Sequence, residues 1–201
     1  MNTESGNWDS FALLLIDVQK DFWNDEMSQS FADYEKNLRR LLHVCRHEGI
    51  DIVHLRARFQ QDESDWMVKY KISDRIPCIE GTPGVEIFPV AEEMPGEFVI
   101  YKQTFDGFYK PALQAYLEKN RKQYVLVAGL VTSVCVLLTA ATAAQRGFLV
   151  GVVEDCCADS PEAHEQVLKR YPFIFDLVSV DQITSCREMW LDDISKLSDQ
   201  N

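Results

Sequence analysis

Between residues 11 and 178 the chain alternates short uncharged runs of strand length with longer stretches in which apolar residues recur every three or four positions. That rhythm belongs to parallel βαβ units rather than to a meander. It predicts six strands, near 11–16, 51–55, 97–101, 124–128, 148–153 and 173–178, and helices over 33–48, 108–119, 133–146, 161–170 and 181–191. The first, second, fourth and fifth strands are nearly continuous apolar runs, as expected where helices cover both faces of a sheet. The punctuation agrees. Asp33 can cap the first helix and Gly49 end it, Ser160 precedes a proline at the first helical position, and Gly147 closes the helix over 133–146. Residues 56–96 break the rhythm. They form a long, charged, Pro- and Gly-bearing connection with little periodicity, the kind of segment that lines functional sites.

The pattern assigns one α/β domain to 11–191, preceded by a flexible stretch at 1–10 and followed by a tail at 192–201. With 201 residues, 46% of them hydrophobic, the chain can bury one sizeable core. Residues 124–144 carry no charge over a length that could span a membrane. Gly129, Thr132 and Ser133 divide that stretch into a strand half and a helix half, so no membrane association is expected. The helix over 133–146 is apolar nearly all round, which suits the centre of a domain combined with a subunit interface.

A net charge of -12 repels phosphate backbones and anionic lipid, so no nucleic-acid partner is expected. The same field repels a small anionic substrate unless cations gather at its site. Six cysteines, at 45, 78, 135, 156, 157 and 186, show neither Cys-x-x-Cys pairs nor regular spacing, which fits a reducing compartment. The polar, acidic N-terminus lacks a basic start and an apolar segment, so a cytoplasmic location is expected; unconventional export stays open.

Cys135 follows a buried strand and a glycine turn, in the first turn of a helix opening at Thr132 or Ser133. There the helix dipole and unpaired backbone NH groups favour thiolate over thiol. On position 135 alone, an activated nucleophile and a small apolar core residue explain the pattern equally. The other strand ends add weight. In an open parallel sheet, ligands bind outside the carboxyl ends of the strands. The first strand delivers Asp17 and the third Lys102, so an acid, an amine and a thiol converge on one edge. None of the four histidines stands at such an end. Asp17 can therefore accept the thiol proton, Lys102 tune and orient the pair, and Cys135 attack, with the backbone NH groups of Val131 and Cys135 facing the oxyanion.

Four segments carry a resemblance: Leu13-Leu14-Leu15-Ile16-Asp17-Val18-Gln19-Lys20-Asp21-Phe22, Glu80-Gly81-Thr82-Pro83-Gly84, Lys102-Gln103-Thr104-Phe105-Asp106-Gly107-Phe108 and Gly129-Leu130-Val131-Thr132-Ser133-Val134-Cys135-Val136. In this order they resemble the isochorismatase-like cysteine hydrolases. The resemblance implies a Rossmann-like, three-layer α/β/α fold with a six-stranded, mostly parallel sheet, and an Asp-Lys-Cys triad at Asp17, Lys102 and Cys135. It also implies a cis peptide between Leu130 and Val131, and homo-oligomers. Nicotinamidases of that family carry an Asp-x-His metal motif after the second strand, where this chain reads Leu55-Arg56-Ala57-Arg58-Phe59-Gln60. A metal-independent enzyme without a cofactor is expected. Family members that split the vinyl ether of isochorismate can lack the cysteine, so its presence leans toward carbon-nitrogen bonds.

Arg56, Arg58, Lys69, Lys71 and Arg75 concentrate positive charge in the long connection, interleaved with Asp62, Glu63, Asp65 and Asp74. Arg56 or Arg58 is expected to hold a substrate carboxylate. Phe22, Trp66 and Phe108 are candidates for the walls of a small pocket, as is Trp23. His43 and His47 lie one helical turn apart but have no evident third ligand, so they are not read as a metal site. Cys156-Cys157 is read as a packed strand end rather than a redox pair. The expected function is hydrolysis of a small carboxylated metabolite, either an amide through a thioester at Cys135 or isochorismate through protonation by Asp17. A catalytically silent module that binds a metabolite or docks a partner is the alternative.

Overall fold

Six strands, β1 (Phe11–Ile16), β2 (Asp51–Ala57), β3 (Phe98–Lys102), β4 (Tyr124–Leu130), β5 (Leu149–Ala158) and β6 (Asp176–Val178), form one sheet in the computed structural model of the chain. The structure describes residues 8–73 and 75–198. The strand order is β3-β2-β1-β4-β5-β6, and all five pairings are parallel. The helices are α1 (Asp25–Ser30), α2 (Tyr34–Glu48), α3 (Val68–Ser73), α4 (Pro111–Lys119), α5 (Leu137–Gln145), α6 (Pro161–Arg170) and α7 (Ile183–Ser198).

Alternation along β1 makes the three layers. Phe11, Leu13 and Leu15 pack with Leu38 and Leu41 of α2 and Trp190 of α7. Their neighbours Ala12, Leu14 and Ile16 face the other way, onto Leu113 and Leu117 of α4 and Ala140 and Ala143 of α5. Because successive side chains of a strand leave opposite faces, a strand buried on both sides must be apolar at every position, and β1 is.

Several boundaries differ from the sequence expectation. Helices α1 and α3 were not anticipated; at six residues each they are too short to show a period, although Asn24 caps α1 by accepting from the Met27 NH at 2.9 Å. Residues 192–198, expected in a tail, continue α7, where Ile194 is buried. Trp8, expected in the flexible start, is buried edge-on against Phe11 and donates to Glu48 at 3.1 Å. Gly49 ends α2 in the left-handed conformation, but the Asp33 and Ser160 side chains make no capping bond. Residues 1–7 and 199–201 of the expected terminal segments, and Asp74, lie outside the described residues.

Candidate active site

The strand order reverses between β1 and β4, and the crevice that such a switch opens lies at their carboxyl ends. Asp17 is the first residue beyond β1. Its φ of 48° is in the left-handed region, held there by an NH bond to the Leu55 carbonyl (2.8 Å) and a carbonyl that accepts from the Gln19 NH (2.7 Å). Lys102 ends β3, two strand spacings away, about 10 Å. In register beside it stands Ala57 of the intervening strand, whose small side chain leaves the path open. Lys102 Nζ thus reaches Asp17 Oδ2 at 2.6 Å and also donates to the Thr104 carbonyl at 2.9 Å. Both side chains are fully buried.

Cys135 arrives from β4. Gly129 has a φ of 125°, and the peptide between Leu130 and Val131 is cis. Instead of opening directly into an α-helix, Thr132–Val136 forms a π-helical turn that leads into α5, with Cys135 buried inside it. Two contacts fasten this turn. Asp159, just beyond β5, accepts from the Ser133 NH at 2.8 Å and from its hydroxyl at 2.6 Å, while Thr132 Oγ1 lies 2.8 Å from Nδ1 of His164 on α6.

Asp17, Lys102 and Cys135 share one buried environment. Burial pushes the Cys135 thiol well up, the Asp17 charge adds to that, and Lys102 pulls the other way. Desolvation thus works against the expected dipole-stabilised thiolate and favours the thiol at rest. Burial also raises the Asp17 carboxyl against the opposing pull of Lys102. Burial works to lower the Lys102 ammonium, but the Asp17 charge and its hydrogen bond move it upward on balance, so it stays protonated. The second Asp17 oxygen, Oδ1, is buried without a hydrogen-bond partner.

These groups floor a cavity of about 160 Å³. Phe22, Phe59, Tyr70 and Phe105 form aromatic walls, and Met67, Val131 and Val134 complete them. Of the residues expected in the walls, Phe22 is there. Phe108 is not: it is buried in the core on the α4–α5 face. Trp66 lies in a neighbouring cleft with Asp21 and Arg75, its indole NH donating to the Gln60 carbonyl at 2.6 Å. Arg56 is buried in β2 and paired with Glu93. The Arg58 guanidinium lies 3.6 Å over the Tyr101 ring and 3.6 Å from Glu80. Lys69, Lys71 and Arg75 are exposed. The expected arginine clamp for a carboxylate is thus absent from the cavity, because local acids and an aromatic ring engage both guanidinium groups.

Sequence reasoning missed Phe59, Met67, Tyr70, Phe105 and Val134 as lining residues. Phe105 and Val134 sat inside the singled-out segments beside Lys102 and Cys135. Met67 and Tyr70 come from the aperiodic connection, where no pattern marks which side chains turn inward. Other singled-out residues brace the site. Gln19 donates to the Ala57 and Val85 carbonyls, both at 2.9 Å, and accepts from the Ala57 NH at 2.8 Å. Asp106 accepts from the Phe108 NH and the Thr142 hydroxyl, both at 2.8 Å. His43 and His47 are exposed, and among the described residues no group of three His, Cys, Asp or Glu side chains is placed to hold a metal ion. Cys156 and Cys157 are buried on opposite faces of β5.

Comparison with known proteins agrees with this architecture. The chain is 28% identical over 179 residues to a nicotinamidase of Arabidopsis thaliana, covering 86% of each. It is 30% identical over 149 residues to a secreted isochorismatase effector of Verticillium dahliae, covering 73% of this chain and 72% of the relative. The crystal structure of an isochorismatase family protein from Desulfovibrio vulgaris superposes with a TM-score of 0.80 at 25% identity, over 89% of this chain and 98% of that one. No helix among the described residues is long and apolar enough to cross a membrane. With strand order, switch-point cavity and relatives in agreement, and with residues 11–180 matching the isochorismatase domain, the chain belongs to the isochorismatase family of hydrolases.

Proposed function

We propose that this hydrolase cleaves a small amide through a thioester on Cys135, with Asp17 as the base and Lys102 as the cation that orients it. The Asp17 carboxyl, whose Oδ1 is not engaged by Lys102 and which interacts with the Cys135 thiol, carries this reading. A buried carboxylate oxygen without a strong donor is unfavourable at rest and is relieved by receiving a proton. Cys135 Sγ attacks the carbonyl carbon as its proton passes to Oδ1. The developing oxyanion is met by the NH groups of Val131 and Cys135. Collapse expels the amine, which takes the proton from Asp17, and leaves a thioester. Water then attacks the thioester with Asp17 again accepting a proton, and the released sulfur takes that proton back. The similarity to a nicotinamidase and to a maleamate amidohydrolase of Pseudomonas putida supports a carbon-nitrogen target.

Cys135→Ala is expected to abolish amide turnover, together with any acyl adduct seen by intact-protein mass spectrometry. Full activity in that variant would instead mean acid-catalysed ether cleavage by Asp17. Wild-type protein with neither adduct nor turnover would mean a silent binding module. We further infer a homo-oligomer, supported by the half-exposed Leu138 on the apolar α5 and tested by sedimentation. A reducing, cytoplasmic location is supported by the six free cysteines and tested by fractionation.

A further inference from the structure

We infer that the cavity is built for an uncharged amide about the size of a benzene ring, hydrogen-bonded by Tyr70, and that it rejects substrates bearing a carboxylate. The inference rests on Cys135 being the nucleophile and goes on to name the substrate class.

Size sets the first limit. An apolar cavity of ~150 Å³ holds one benzene molecule, and this one is about 160 Å³. Isochorismate, a dianion with more than twice as many heavy atoms as benzene, would extend beyond it into solvent.

Charge sets the second. Among the described residues, Lys102 is the one cation lining the cavity, and its ammonium is already engaged by Asp17 Oδ2 and the Thr104 carbonyl. Arg56 and Arg58 are held outside by Glu93 and Glu80. A carboxylate entering would stand against aromatic walls and beside the Asp17 charge, stripped of water with no partner, in a protein of net charge -12. Each of these opposes its binding.

What remains is a neutral hydrogen-bonding group. The Thr104 hydroxyl is taken by the Asp106 carbonyl at 2.9 Å. Tyr70 is fixed by edge-on contacts with Phe59 at 5.5 Å and Phe105 at 6.1 Å. Among the described residues its hydroxyl has no hydrogen bond, and Tyr70 lines the cavity together with Asp17, Lys102 and Cys135. A phenol held this way can both donate to and accept from a neutral amide, and its ring adds a face for a flat substrate.

Two matched pairs test this. Iodoacetamide and iodoacetate differ only in carrying an amide or a carboxylate; in both, sulfur displaces iodide and the thiol proton leaves. Their alkylation rates at Cys135 are read by peptide mass spectrometry, with the partly exposed Cys186 as internal reference. The amide-to-acid rate ratio at Cys135 is expected to exceed that at Cys186 at least tenfold. An equal or smaller ratio, or labelling of Cys186 with no labelling of Cys135 by iodoacetamide, overturns the inference. Maleamide and maleamate give the same contrast in turnover: the diamide is expected to show at least a tenfold higher kcat/KM, and Tyr70→Phe to raise its KM several-fold with kcat little changed. Preference for maleamate in a protein whose Cys135→Ala variant is dead would sink the substrate class and leave the thioester reading standing. Turnover that survives Cys135→Ala would sink the thioester reading itself.

Discussion

A methyl group placed on Gly129 would sit 2.0 Å from the Ile16 carbonyl oxygen, so the strand that leads to Cys135 and the strand that leads to Asp17 touch backbone to backbone. Glycine is required there twice over, for that approach and for a φ of 125°. Overpacking against backbone and a strained φ together cost about 3 kcal/mol or more. Gly129→Ala is expected to lower the urea midpoint accordingly. Its residual folded fraction should have lost turnover, because the sulfur and the carboxylate no longer keep their spacing.

Lys102 and Asp17 form a buried ion pair at the floor of the cavity. Removing one partner of such a pair typically costs about 3–5 kcal/mol, whereas removing both can be nearly neutral. Lys102→Met should therefore destabilise strongly, and adding Asp17→Asn should recover most of the loss in a denaturant double-mutant cycle, with activity absent throughout. A double variant no more stable than Lys102→Met would show that the pair is not energetically coupled.

As the proposed base, Asp17 must be ionised to accept the thiol proton, and burial raises its carboxyl above the ordinary 3.8. The acid limb of kcat/KM is thus expected above pH 3.8, with rate lost as pH falls through the raised value. An acid limb at or below 3.8 would assign the base elsewhere.

Asp159 holds the turn that carries Cys135 without touching the cavity. Asp159→Ala leaves the Ser133 NH and hydroxyl unpaired, at a cost of about 1–2 kcal/mol by analogy with helix caps. A drop in kcat that exceeds any change in KM is expected, and Asp159→Asn, whose one carbonyl oxygen can replace the Oδ2 that accepts both Ser133 bonds, should restore most of it.

Far from the site, Glu97 is partly buried, and burial alone would raise its carboxyl. Bonds from Arg46 at 2.7 and 3.0 Å, the Met94 NH at 2.9 Å and His54 at 2.8 Å override that and bring it down to about 2. A folded value below the unfolded 4.5 means its stabilisation is complete above pH 4.5 and is lost as pH falls toward 2. Glu97→Gln should lower stability at neutral pH and flatten its decline between those limits, as read by thermal unfolding across that range.

The order of polar residues at strand ends was legible in the chain itself. Strand periodicity is local, so the apolar runs of β1 and β4 locate Asp17 and the Gly129 turn from nearest neighbours alone, and Lys102 follows from the run before it. The parallel topology makes those ends coincide. Short helices such as α1 and α3 escaped because six residues hold less than two turns of pattern.

Only the tertiary structure decided what surrounds the three side chains. Arg56 meets Glu93 and Arg58 meets Glu80 across tens of residues, so no local pattern shows that both charges are spent before reaching the cavity. Met67 and Tyr70 enter the wall from an aperiodic segment whose inward face is chosen by what it packs against. Burial raises the Cys135 thiol, against the thiolate that its sequence position at a helix start suggests. Sequence periodicity reports which way a side chain leaves its own backbone, and desolvation and charge pairing depend on which distant chains close over it.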